Sequence, residues 1–149
     1  MLKYFLLFLF ISCPAMAQDT IKLNQWAQLP VLHDGRLKPL DSFAHLHLKR
    51  FSNKETINRI NANQWLAQII FTPEDDASTR IFHVRNFENL KLEKRKNKLY
   101  SYVEITATLE QQKNIIEQLH KTNPQEWTPE QQNLITLHDN ANILSLIHI

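Results

Sequence analysis

The chain has 149 residues, 43% of them apolar and 21% charged, enough for one domain with a real core and too few for two. A formal net charge of +2 carries no basic excess of the kind a nucleic-acid partner requires. A single glycine, Gly35, excludes doubly wound nucleotide-binding folds and P-loops, which need several glycines at fixed spacing.

The N-terminus predicts export. Lys3 is a short positive region, Tyr4 to Ile11 (YFLLFLFI) an apolar one, and Ala15-Met16-Ala17 a small-x-small cleavage site. Eight apolar residues fall well short of the roughly 20 needed to span a bilayer. Residues 1–17 therefore read as a secretory signal, with the mature chain starting near Gln18 on the periplasmic or extracytoplasmic side. Phe10-Ile11-Ser12-Cys13 is a rival lipoprotein box, poorly matched at Phe10 and Pro14. Cleavage after Ala17 leaves 16 basic and 15 acidic residues. It also removes the only cysteine, and with it disulfides, thiolate chemistry and covalent haem attachment to this chain.

Residues 18–28 are polar with isolated apolar positions and read as an exposed lead-in. Leu29 to Leu32 and Arg36 to Lys38 predict a short β-hairpin around Asp34-Gly35, because glycine tolerates the positive φ of tight turns. Pro39 is expected to stop the ladder and Asp41 to cap a helix running to about Phe51, with Phe43, Leu46 and Phe51 on one side. Ile57, Ile60, Trp65, Leu66, Ile69 and Ile70 predict a second helix from Glu55 to Phe71, ended by Pro73 and Glu74-Asp75-Asp76. Arg80 to Arg85 predicts a strand with Ile81, His83 and Arg85 on one face and Phe82 and Val84 on the other. Lys91 to Lys98 (KLEKRKNK) is a charged connector.

Ser101-Tyr102-Val103-Glu104 is a capping box, opening a helix with Ile105, Leu109, Ile116 and Leu119 as its stripe. Asn123-Pro124 breaks it. Thr128-Pro129-Glu130-Gln131 starts a final helix carrying Leu134, Ile135, Leu137 and Ile143. The expected fold is mainly α, about four helices with an N-terminal β-hairpin and one additional strand, over residues 18–143. The last six residues, LSLIHI, match the translation of a transposon-end adapter used in sequencing libraries. Residues 144–149 are therefore expected to be an adapter-derived tail on a fragment, which the DNA past codon 149 decides.

Side chains capable of chemistry are sparse. His45 and His47, two apart on a helix, point about 200° from each other and cannot share a metal. His83, His120 and His138 stand alone in sequence. The Glu74-Asp75-Asp76 triad lacks the alternation and glycine turn of a calcium loop. No nucleophile motif is present, and Ser42 and Ser101 both serve helix starts. Trp65 belongs to the core, while Trp26 and Trp127 flank element starts. The segment left over is LPVLHDGRLKPLDSFA. Arg36 and Lys38 share one strand face between Asp34 and Asp41. Either Arg36 pairs with Asp41 to fix the turn, or the hairpin is a docking surface.

That segment resembles the pattern LPV-x-x-x-GR-(I/L)-KP-(L/F/I)-D-(S/T)-(F/Y)-A of the bacterial cytochrome c biogenesis family of haem-handling, integral-membrane assembly proteins. Trp65-Leu66-Ala67 with Ile70-Phe71 and Pro73 is similar to its WLAE-(V/I/T)-(L/I)-F-x-P, with Gln68 in place of Glu. Phe82 to Asn86 is similar to F-(K/R)-(I/V)-x-N, with His83 in the basic position. Tyr100 to Ile105 is similar to YS-(F/Y)-x-E-(L/I), and Leu134 to His138 to LL-x-LY. The matches keep their order over about three-quarters of the chain. The resemblance implies an extracytoplasmic accessory region placed before a membrane module that delivers haem and attaches it to apocytochrome c. Haem would be handled by that module, so no cofactor is expected here and no haem-binding residue carries over. What carries over is Gly35, Arg36, Lys38, Pro39 and Asp41. The partners implied are that membrane module, in the same or a partner protein, and apocytochrome c. The alternative reading is a complete small periplasmic binding or chaperone protein. A soluble haem or metal binder using scattered histidines is a third.

Overall fold

The computed structural model of the chain describes residues 23–72, 78–85, 90 and 92–147. The expected signal segment and the acidic triad at 74–76 lie outside them. The fold is mainly α, as the periodicities predict: six helices, joined by three separate two-stranded antiparallel pairs among the described residues.

Helix α1 (Leu23–Ala27) lies in the segment expected to be an exposed lead-in. Trp26 anchors it, half-buried with its ring 5.4 Å from Phe71. Strands β1 (Pro30–His33) and β2 (Arg36–Pro39) form the predicted hairpin. Asp34 (φ 53°) and Gly35 (φ 71°) make a two-residue turn with both positions left-handed. An added Cβ at Gly35 would meet nothing within 4 Å, so the glycine is there for its φ and not for space. Pro39 does not stop the ladder. It sits opposite Pro30, and the next pair bonds again, Leu40 N–H donating to the Leu29 carbonyl at 2.8 Å. In an antiparallel ladder bonded and non-bonded pairs alternate, so both prolines occupy a pair in which neither N–H is needed.

Helix α2 (Leu40–Ser52) follows at once. Its N-cap is Pro39, without a side-chain bond, and Asp41 lies in the first turn, where a carboxylate suits the helix dipole. The buried stripe is Leu40, Ala44, His47, Leu48 and Phe51, whereas Leu46, expected inside, is exposed. Asn53, left-handed at φ 57°, ends the helix by donating its N–H to the Lys49 carbonyl at 2.9 Å.

The expected helix from Glu55 starts seven residues later. Strands β3 (Thr56–Ile57) and β4 (Ile60–Asn61) form a second hairpin, turned by Asn58 (φ 49°) and Arg59 (φ 68°). Ile57 and Ile60 are cross-strand partners, and their i, i+3 spacing is what imitated a helix. Helix α3 (Ala62–Phe71) then opens on a capping box of Asn61 and Gln64. Strand β5 (Arg80–His83) pairs with β6 (Leu99–Ser101) through a bulge between Arg80 and Phe82, so Ile81 and Phe82 are both buried instead of alternating.

Ser101 ends β6 and caps α4 (Tyr102–Gln111), with Glu104 closing the box. The predicted single helix breaks at Gln112 into α4 and α5 (Lys113–Leu119), yet all four expected stripe residues are buried. A 3-10 turn at Pro124–Glu126 leads to α6 (Pro129–Ile147). Its start is as read: Gln131 N–H donates to Thr128 Oγ1 and Thr128 N–H to Gln131 Oε1. The helix continues through Leu144, which is 1% exposed. Trp127 is held by its Nε1–H donating to Thr122 Oγ1 at 2.9 Å.

The core is one cluster. The ring of Phe51 (α2) meets Trp65 (α3) at 6.0 Å and Phe82 (β5) at 5.5 Å. Below it, Leu109, Ile116, Leu119, Leu134, Ile135 and Leu137 close α4, α5 and α6 on one another. The charged connector also belongs to the structure. Arg95 grips Glu104 with two nitrogens, at 2.7 and 3.0 Å, and lies over the Tyr100 ring. Tyr100 O–H donates to the Glu93 carbonyl at 2.7 Å. No described helix is long and apolar enough to cross a membrane.

Glu104 accepts from Arg95, from the Ser101 N–H at 2.8 Å and from the Ser101 hydroxyl at 3.0 Å. The Arg95 bond, ahead of the Ser101 contacts, holds its carboxyl down at about 2. A carboxylate depressed on folding adds stability that is complete above the unfolded value near 4.5 and is lost as pH falls towards 2. Glu104→Ala should lower stability at pH 7 by about 1 kcal/mol. In denaturant titrations the gap between wild type and variant should shrink from pH 5 to pH 2.5. An equal gap at both pH values would contradict the assignment.

Candidate functional site: the hairpin and its seat on the second helix

The five residues of the GR-x-KP-x-D signature are brought together by β2 and the start of α2, and most of them shape the hairpin. Gly35 makes the turn and Pro39 fills the non-bonded pair opposite Pro30. Asp41 does not pair with Arg36. Its Oδ1 accepts from Asn63 Nδ2 at 2.6 Å, tying α2 to α3, and lies 3.3 Å from His45 Nδ1. Lys38 is half-buried, its Nζ 3.3 Å from His33 Nδ1, while Arg36 stands exposed beside the turn.

The pleat sorts the hairpin into two faces. Val31, His33, Arg36 and Lys38 share one, and all but Arg36 are half-buried. Pro30, Leu32, Leu37 and Pro39 share the other, and all four are exposed. Leu32 is 69% and Leu37 75% exposed, and they face each other across the strands. Leu29, just before β1, is 49% exposed. Such a set of neighbouring outward leucines is unlike the scattered single apolar residues of ordinary surfaces. The face turned outward as a whole is the apolar one, not the one that carries Arg36 and Lys38.

Behind the hairpin lies a histidine–aromatic cluster. The His33 ring stands edge-on to Phe43 at 5.4 Å and to His47 at 5.3 Å, and His47 packs on Phe43 at 4.2 Å and Phe51 at 5.8 Å. His33 Nδ1 is also 3.1 Å from Asp34 Oδ2. His47 is 2% exposed, and neither of its ring nitrogens has a hydrogen-bond partner. Burial, then the neighbouring His33, holds its pKa down at about 4, so His47 is neutral near pH 7.

His45 and His47 point to different sides, as their spacing requires: His45 is exposed, with Nδ1 2.9 Å from the Asp41 carbonyl oxygen. His120 and His138, far apart in sequence, are brought together edge-on with ring centroids 5.6 Å apart. Among the described residues no three of His, Cys, Asp and Glu converge as a metal set. Sequence reasoning missed His33 and Asn63. The alternation of β1 places His33 opposite Leu32, but only the seat on α2 shows which of the two faces inward.

The His47 environment has a pH signature. A histidine depressed on folding is neutral in the folded state while the unfolded chain takes up a proton, so stability falls as pH drops from about 6.5 to about 4. That loss is on the order of 2–3 kcal/mol. His47→Phe should remove most of it, seen as a flatter profile of unfolding free energy between pH 7 and pH 4.5. An unchanged slope would place the acid sensitivity elsewhere. No family model matches this chain, and no curated protein matches it.

Proposed function

We propose that the chain is an extracytoplasmic accessory domain of a cytochrome c assembly protein, seated against the membrane module that delivers haem and attaches it to apocytochrome c. In this reading the domain performs no chemistry itself. It docks through the β1–β2 hairpin, laying Leu29, Leu32 and Leu37 against an apolar surface of that module with Arg36 at the rim.

The observation that carries the reading is the outward apolar face of the one segment whose sequence most closely resembles that family. Its signature residues serve geometry: Gly35 turns the hairpin, Pro39 permits the pairing and Asp41 ties the following helix to α3 through Asn63. A docking element needs this rigidity, because a preformed surface loses little entropy on binding. Burying one leucine contributes roughly 1.5–3 kcal/mol. Two of them therefore decide more than tenfold in affinity.

The double variant Leu32→Ser, Leu37→Ser tests this at the native locus. Both side chains are solvent-exposed, so thermal stability should stay within a few degrees of wild type. Haem-stained c-type cytochrome should fall several-fold. Normal cytochrome levels with the altered protein present would overturn the proposal. A loss of an unrelated periplasmic client with cytochromes intact would favour the small binding or chaperone protein instead.

A further inference from the structure

A second region of the molecule gathers positive charge in one cleft. Helix α2, strand β5 and helix α6 enclose a cleft of about 300 Å³, at the small end of the range for ligand sites. Lys49 and Arg50 enter it from α2, His83 and Arg85 from the end of β5, and Asn133 and Asn140 from α6. No Asp or Glu lines it among the described residues. Lys49 Nζ lies 3.6 Å from Glu55 Oε1, a carboxylate outside the lining and 78% exposed.

The cleft is organised. Arg50 Nε–H donates to Asn140 Oδ1 at 2.6 Å, across ninety positions of sequence. Asn140 is 6% exposed, so a buried amide on α6 fixes the guanidinium of α2. With Nε so engaged, the terminal nitrogens of Arg50 have no partner among the described residues and remain able to donate as a pair. The Asn140 oxygen already accepts from Arg50, which leaves its amide nitrogen as the donor end. Burial first, then Arg85 of the cleft with Lys98 and Lys54 beyond its lining, lowers the His83 pKa, which favours its neutral form. Like charges held together in a concave site are stabilised by an anion placed among them.

We propose that this cleft is a binding site for a small oxyanion, a carboxylate or phosphate group, held by the Arg50 guanidinium fixed on Asn140 and by Lys49 and Arg85. The site is separate from the hairpin and does not depend on the docking proposal. Its position between α2 and α6 lets an anion tie the N-terminal and C-terminal halves of the domain together.

The experiment is a titration of the purified protein at low ionic strength with inorganic phosphate and, separately, with succinate, read by calorimetry and by the His83 imidazole resonances. Saturable binding is expected, with the His83 pKa rising on saturation because the anion offsets the neighbouring cations. Tighter binding of phosphate assigns a phosphate group, and tighter binding of succinate assigns a carboxylate. Arg85→Gln, an exposed substitution with no fold to disturb, should weaken the bound anion at least fivefold. Lys113→Gln, an exposed lysine outside the cleft, should leave it unchanged. Absence of saturation with either anion at millimolar concentration overturns the proposal. So does equal weakening by Arg85→Gln and Lys113→Gln, which would mean general charge attraction.

Discussion

The buried side of α2 is the surface on which the rest of the domain depends. Ala44, Leu48 and Phe51 are at most 1% exposed, and Phe51 alone meets Trp65 of α3 and Phe82 of β5. The same helix carries the hairpin at its start, through Leu40 and the His47 cluster, and the cationic cleft at its end, through Lys49 and Arg50. One amphipathic helix thus sets the position of two separate surfaces. Removing ring volume at Phe51 would open a cavity between α2, α3 and β5 together, the kind of change a close-packed interior tolerates least.

Two buried residues of this helix depart from a plain apolar stripe: Ser52, whose hydroxyl donates to the Leu48 carbonyl, and His47. The second is the costlier. Its ring fills the space that an aromatic residue would fill, between Phe43 and Phe51, and it leaves two nitrogens unsatisfied in doing so. Desolvation answers that burial by keeping the ring neutral, a cheaper outcome than burying a charge. His33 stands edge-on to it from the hairpin, and Lys38 Nζ lies on the His33 ring nitrogen. The inner face of the hairpin therefore brings His33 and Lys38 as well as Val31 towards the domain, while the outer face, with Leu32 and Leu37, is apolar and exposed. This arrangement is the physical basis for regarding the hairpin as a surface made for contact.

Much of the architecture was legible in the residues because helix starts and turns have local chemistry. Asp34-Gly35, Ser101-x-x-Glu104 and Thr128-Pro129-x-Gln131 each led to the element that formed. The failures share a cause. Asn58-Arg59 makes a turn without glycine, so the β3–β4 hairpin was hidden inside an apparent helical period. The bulge at Ile81 buries two successive residues, which alternation cannot anticipate. At the candidate site, the signature residues were found but their surroundings were not. Asn63, His33 and Asn140 reach their partners across tertiary contacts that no spacing announces. Which face of the hairpin turns outward was likewise settled by packing on α2 and not by the polarity of the residues.

The proposed function requires the apolar face of the β1–β2 hairpin to seat the domain on a membrane partner of cytochrome c assembly. Photo-crosslinking in cells from position 37, with position 46, also exposed but on α2, as the control, is the test. The probe at position 37 is expected to capture a multi-helix membrane segment, and the probe at position 46 is not. Capture of the same products from both positions, or of none from position 37, would contradict it.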